Sequence, residues 1–84
     1  MNVLFTANAW NEFNEIKESS NLGKSLRATI KEIQRGSNLG KEEKLKYQFS
    51  GYMSRRLDKK NRLIYRIEND TIMIISCSGH YLDH

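Results

Sequence analysis

The apolar residues of this chain change their period half-way along, and that change limits the fold more than any other feature. Leu22, Leu26, Ile30 and Ile33 recur every three or four residues, one stripe of an amphipathic helix. Beyond residue 44 the apolar positions fall instead into short runs, Leu45–Phe49, Tyr52–Leu57, Arg62–Glu68 and Thr71–Ser78. Ser50-Gly51, Asp58–Asn61 and Glu68-Asn69-Asp70 separate these runs as turns, so the second half reads as an antiparallel meander. Ahead of the helical stripe, Asn2–Thr6 alternates as a short strand. Within Ala9–Glu18 a first helix places Ala9, Phe13 and Ile16 on one side, with Trp10 beside them. Thr6 or Asn8 can cap that helix, Ser19-Ser20-Asn21 breaks it and caps the next, and Gly36 suits the left-handed stop. The expected architecture is α+β, in the order β-α-α-β-β-β-β, with both N-terminal helices on one face of a largely antiparallel sheet.

With 84 residues the chain supports a single domain, 1–84, and one modest core. No apolar run approaches the ~20 residues that cross a bilayer, and no basic, apolar leader opens the chain. A cytoplasmic protein is expected. One cysteine, Cys77, excludes an internal disulfide and a cysteine-based zinc cluster, and its expected place is the core. Neither a metal nor a cofactor is called for.

Charge is unevenly spread. The net charge is +4, yet residues 41–66 alone carry nine basic side chains, Lys41, Lys44, Lys46, Arg55, Arg56, Lys59, Lys60, Arg62 and Arg66, against three acids. Such a segment suits a polyanion or an acidic protein partner. The two-residue repeat of a strand then sorts faces. Met53 and Leu57 turn inward, leaving Tyr52, Ser54 and Arg56 outward. Leu63, Tyr65 and Ile67 turn inward, leaving Arg62, Ile64 and Arg66 outward. Met73, Ile75 and Cys77 turn inward, leaving Ile72, Ile74, Ser76, Ser78 and His80 on the open face. Lys46 and Gln48 join them if Leu45, Tyr47 and Phe49 are core. Arg56 meets Arg62 across the hairpin only if an odd number of residues connects them. Glu43 shares its parity with Leu45, so it is expected in the loop before the strand or at a bulge. Arg55-Arg56 reads as a solvated pair.

A carboxylate, an arginine and a histidine can together cut RNA without a metal. The carboxylate takes the 2′-hydroxyl proton, the arginine steadies the charge on phosphorus, and the histidine protonates the leaving 5′-oxygen. Histidine suits that role because its unperturbed pKa of about 6.5 lies near working pH.

The segment Leu45-Lys46-Tyr47-Gln48-Phe49-Ser50-Gly51-Tyr52-Met53-Ser54-Arg55-Arg56 resembles the central motif of YoeB/Txe toxins, and the likeness continues through Arg62-Leu63-Ile64-Tyr65 and Cys77-Ser78-Gly79-His80-Tyr81. It extends more faintly over the first strand and both helices. The resemblance implies a RelE-like fold of the microbial-ribonuclease type and a toxin that cuts messenger RNA in the ribosomal A site, stopping translation. It implies Glu43 as general base, Arg62 as transition-state stabiliser and His80 as general acid, with Lys46, Arg56 and Tyr81 binding substrate. A YefM/Axe-type antitoxin, with an acidic and poorly ordered C-terminal part, is the implied partner, docking on 41–66; a homodimer is common in the family. Three positions depart from the family pattern: Lys44 where proline is frequent, Met53 where tryptophan is frequent, and Gly79 where a bulkier residue stands. Leu82-Asp83-His84 adds a tail beyond Tyr81, with Asp83 close in sequence to His80. The competing readings are a ParE-like gyrase poison of the same fold, and a binder of ribosomes or RNA that does not cut.

Overall fold

The computed structural model of the protein describes residues 1–36 and 41–79. The chain runs β1 (Asn2–Phe5), α1 (Ala7–Glu15), α2 (Asn21–Gln34), β2 (Glu43–Lys44), a 3-10 turn (Tyr47–Phe49), β3 (Met53–Arg56), β4 (Arg62–Glu68) and β5 (Thr71–Ser76). The five strands form one sheet in the order β1-β5-β4-β3-β2, with β2 to β5 antiparallel and β1 parallel to β5. Two helices on a mixed sheet match the expected α+β order.

Local chemistry explains the helices. The Thr6 hydroxyl accepts from the Ala9 N–H and the Ser20 hydroxyl from the Gly23 N–H, each satisfying a free donor of a first turn. Gly23 lies so close to the end of the preceding helix that a Cβ there would sit 2.2 Å from the Lys17 carbonyl oxygen. Only glycine lets α2 start hard against that turn. Gly36 ends the helical segment at φ 76°. The stripe Leu26, Ile30 and Ile33 is buried with Ala9, Leu57, Leu63, Tyr65, Ile72, Ile74 and Cys77, and Phe13, Ile16 and Leu22 pack against this core. No helix among the described residues is long and apolar enough to cross a membrane.

Five residues connect Arg56 and Arg62, and the two are direct partners across β3 and β4. The odd connection that parity requires is therefore present. Parity fails in β5. Tyr65 pairs with Ile74 but Ile64 pairs with Ser76, so Ile75 is an extra residue, a β-bulge. Before the bulge Ile72 and Ile74 face the core; after it Cys77 does. Counting back from Cys77 in steps of two therefore mistakes Ile72 and Ile74 for outward residues and Met73 and Ile75 for inward ones. Both isoleucines are in fact completely buried.

Two further expectations are corrected. The run Leu45–Phe49 is not a strand: pairing stops at Lys44 and the chain turns into the 3-10 segment, which returns through the Leu45 N–H bond to the Tyr52 carbonyl. Arg55 is not solvated. It shares parity with Met53 and Leu57, is 3% exposed, and donates from Nη2 to Glu32 on α2 at 3.0 Å. That bond is the main reason the Glu32 carboxyl titrates below its usual range.

The register predicts an asymmetry between neighbours in β5. Ile74→Ala should cost about 3 kcal/mol by urea unfolding, whereas Met73→Ala should cost under about 1 kcal/mol. The reverse order would restore the unbulged register.

Candidate active site

The site is built around the first residue of β4. Arg62 is turned to the open side of the sheet, opposite Leu63, and only 16% of its side chain is exposed. Its Nε donates to the hydroxyl of Ser54 on β3, and its Nη2 lies 3.2 Å from the Glu43 carboxylate on β2. Glu43 is the register partner of Ser54, so the ladder between β2 and β3 delivers the carboxylate to the guanidinium. Glu43 thus sits on a strand, not in a preceding loop. Leu45, two residues on, is buried but lies outside the main core cluster.

Arg62 is also fixed by its backbone. Its N–H donates to the Gly79 carbonyl at 3.2 Å, and the Gly79 N–H donates to the Asn61 side-chain oxygen at 2.7 Å. The Asn61 amide nitrogen in turn donates to Asp58, whose carboxylate also accepts the backbone N–H groups of Lys60 and Asn61. These bonds, the Lys60 N–H first, hold the Asp58 carboxyl below its ordinary range. A carboxylate accepts only, so it orients the Asn61 amide with its oxygen toward Gly79. The chain entering its last residues is thereby tied beside Arg62.

The other expected residues divide. Arg56 is exposed at the end of β3, and its Nε donates to the Asp58 carbonyl at 3.2 Å. Lys46 is exposed at the start of the 3-10 turn, over a hollow of about 380 Å³ lined by residues 43–49, Glu43 among them. Glu43 and Arg62 are thus brought into contact, and Lys46 lies near Glu43. His80, Tyr81 and the tail 82–84 lie outside the described residues, as do Leu39 and Gly40. Arg55 leaves the basic face altogether. Cys77 is buried beneath α1, and burial raises its thiol pKa to about 12, so it offers no thiolate at neutral pH.

Sequence reasoning missed Ser54 and Asn61 as site residues, and it misplaced Tyr47. Strand parity puts Ser54 on the outward face, but nothing in a lone serine announces an arginine partner. The inward place that a strand over 45–49 would give Tyr47 is not observed: the side chain is 89% exposed, with φ 58°.

A model of the YoeB-like toxin of bacterial type II toxin–antitoxin systems matches residues 5–81. The chain belongs to this toxin family. A YoeB toxin of Synechocystis is 37% identical over 84 residues, covering 96% of this chain and 98% of the relative. Among solved structures, the YoeB–YefM complex of Staphylococcus aureus is similar at 33% identity and TM-score 0.84, covering 96% of this chain and 98% of that one. The S. aureus YoeB dimer is similar at 33% identity and TM-score 0.83, with the same coverage. The YoeB-type assignment agrees with the fold and with the Glu43–Arg62 contact, which joins two of the residues that the resemblance singles out.

The Asp58–Asn61–Gly79 chain carries a prediction of its own. Asn61→Ala should speed hydrogen exchange of the Gly79 amide at least about tenfold without unfolding the protein. Acid should likewise lower the protection of this amide relative to its intrinsic exchange rate at the same pH: the Asp58 anion is intact above its unfolded pKa of about 3.9 and is lost as pH falls through the lower folded value. An exchange rate unchanged by the substitution would remove Asn61 from this role.

Proposed function

We propose that this toxin is a metal-independent endoribonuclease that cuts messenger RNA in the ribosomal A site and so arrests translation. The observation that carries the reading is the Glu43–Arg62 contact on the open face. In the proposed reaction Glu43 removes the 2′-hydroxyl proton, and the 2′-oxygen attacks the adjacent phosphorus. Arg62 holds the non-bridging oxygens, whose charge grows in the transition state. The bond to the 5′-oxygen breaks, and His80 supplies its proton, leaving a 2′,3′-cyclic phosphate and a 5′-hydroxyl. The roles of His80 and Tyr81 come from the family resemblance.

Energetics favour exchange of partners on Arg62. Glu43 has 67% of its side chain exposed, and pairs of this kind contribute only about 0.2–1 kcal/mol. A hydrogen bond to a charged group contributes about 1.5–3 kcal/mol, so a phosphate can displace the carboxylate and leave it free to act as base. Ser54 keeps the guanidinium in place during that exchange. A carboxylate remains a weak base at neutral pH. The ribosome therefore completes the site by positioning the message, and naked RNA is cut slowly or not at all.

The same face suits an inhibitor. The S. aureus relative is solved with YefM. A comparable antitoxin with an acidic segment would cover Lys46, Arg56 and Arg62 and neutralise the toxin by occupying the phosphate sites. A homodimer, as in the S. aureus dimer, and action in the cytoplasm, where ribosomes are, belong to the same proposal.

Primer extension on a translated message tests the reading. Wild-type protein should give discrete, ribosome-dependent cuts. Arg62→Ala should reduce them about 10²- to 10³-fold, with comparable loss in Glu43→Ala and His80→Ala. Uncut message with intact translation, together with lost supercoiling activity, would move the target to gyrase. Arrest without cuts would make the protein a binder only.

A further inference from the structure

Tyr47 is placed at a cost and gives the fold nothing visible in return. It is the first residue of the 3-10 turn, and at φ 58° it occupies the left-handed region, where a bulky side chain is an outlier. Glycine or asparagine would hold the same turn with less strain. The ring is 89% exposed, the most exposed large hydrophobic side chain among the described residues. It makes no ring or cation contact among the described residues, whereas Tyr52 lies under Arg66, Trp10 stacks on Phe13, and Phe5 meets both rings at an angle. Backbone strain and lost burial both argue that folding does not explain a tyrosine here.

Its surroundings indicate what the ring is for. Tyr47 lines the hollow that Glu43 and Lys46 also line, so the aromatic face, the carboxylate and a cation border one space. The arginine paired with that carboxylate approaches from β4. An RNA strand whose phosphate rests on Arg62 offers, within one nucleotide, a flat base to the ring and a second phosphate to Lys46. Unpaired bases are held in this way on exposed aromatic rings. We propose that Tyr47 is a base-stacking platform that binds a nucleobase of the RNA next to the scissile phosphate. This rests on the ribonuclease reading and adds a binding residue to it. An acidic peptide would be drawn to the cations but has no flat group to match the ring, so RNA is the favoured ligand.

The test uses the full-length toxin with Tyr47 changed to Ala, Phe or Gly. Each variant is assayed for cleavage of ribosome-bound message as a function of toxin concentration. In parallel, the Tyr47 ring resonances are followed by NMR as an all-2′-deoxy trinucleotide, which has no 2′-hydroxyl to attack either phosphate, is added. Tyr47→Ala should raise the half-saturating concentration about tenfold, in the range that losing one base–aromatic stack produces, with the rate at saturation within about twofold of wild type. Tyr47→Phe should behave as wild type. Tyr47→Gly should bind as poorly as Tyr47→Ala while melting at the same temperature as wild type or higher, which a merely structural residue would not do. The trinucleotide should shift the Tyr47 ring signals. Unchanged half-saturation in Tyr47→Ala with wild-type cleavage intact would overturn the stacking role alone. Loss of antitoxin affinity without any change toward RNA would overturn it too. A wild-type protein that never cuts would fail the ribonuclease reading, and the trinucleotide titration would then decide the stacking role separately: shifted ring signals support it and unshifted ones overturn it.

Discussion

Everything on the open face depends on how firmly Arg62 is held. Its position in the ladder is set by pairing with Arg56, its backbone N–H is tied to Gly79, its Nε to Ser54, and its Nη2 reaches Glu43. A long side chain free in solution would lose considerable rotamer entropy on meeting a phosphate. Here most of that loss is taken when the protein folds. The ion pair with Glu43 is the weakest of the four restraints because its carboxylate is largely exposed, and in the proposed reaction it is the one that a phosphate would replace.

That arrangement is supported from the opposite side of the sheet. Ser54, which holds Arg62, is flanked by Arg55, whose guanidinium passes under α2 to Glu32. The same Glu32 oxygen accepts from Lys41 at 3.5 Å, two residues before Glu43. One acidic residue on α2 thus ties together the strand beneath the site and the segment entering β2. At the far edge, Glu12 of α1 accepts the Cys77 N–H at 2.9 Å and the Ser76 hydroxyl at 3.2 Å. It satisfies the β5 backbone where β1 has already ended. Buried or half-buried polar groups of this kind are costly when unpaired and restrictive when paired. They hold the sheet on which Arg62, Ser54 and Glu43 are aligned.

Much of this was readable from residue order. The stripe from Leu22 to Ile33, the caps at Thr6 and Ser20 and the turn at Glu68–Asp70 are local signals, and local physics decided them. The parity argument succeeded for β3 and β4, where the strands are regular, and brought Arg56 and Arg62 face to face. It failed in β5 because a bulge adds Ile75 without any mark in the sequence, Ile72 to Ile75 being apolar throughout. It failed again after Lys44, where an alternating run became a turn with Tyr47 left-handed. Arg55 was unreadable for a different reason. Its burial depends on Glu32, twenty-three residues away, and no local pattern announces such a partner. The family resemblance supplied roles for Glu43 and Arg62, and the fold brings those two into contact; the role of His80 rests on the resemblance.

The central claim is that the 2′-hydroxyl of the message is the nucleophile, activated opposite Arg62. The most direct measurement is the chemistry of the fragment ends. The upstream fragment from a ribosome cleavage reaction can be isolated and its 3′ terminus determined by mass spectrometry. A 2′,3′-cyclic phosphate, or the 3′-phosphate from its later hydrolysis, with a 5′-hydroxyl downstream, is the result this account requires. A 3′-hydroxyl with a 5′-phosphate downstream would show that water attacked instead, and would contradict it.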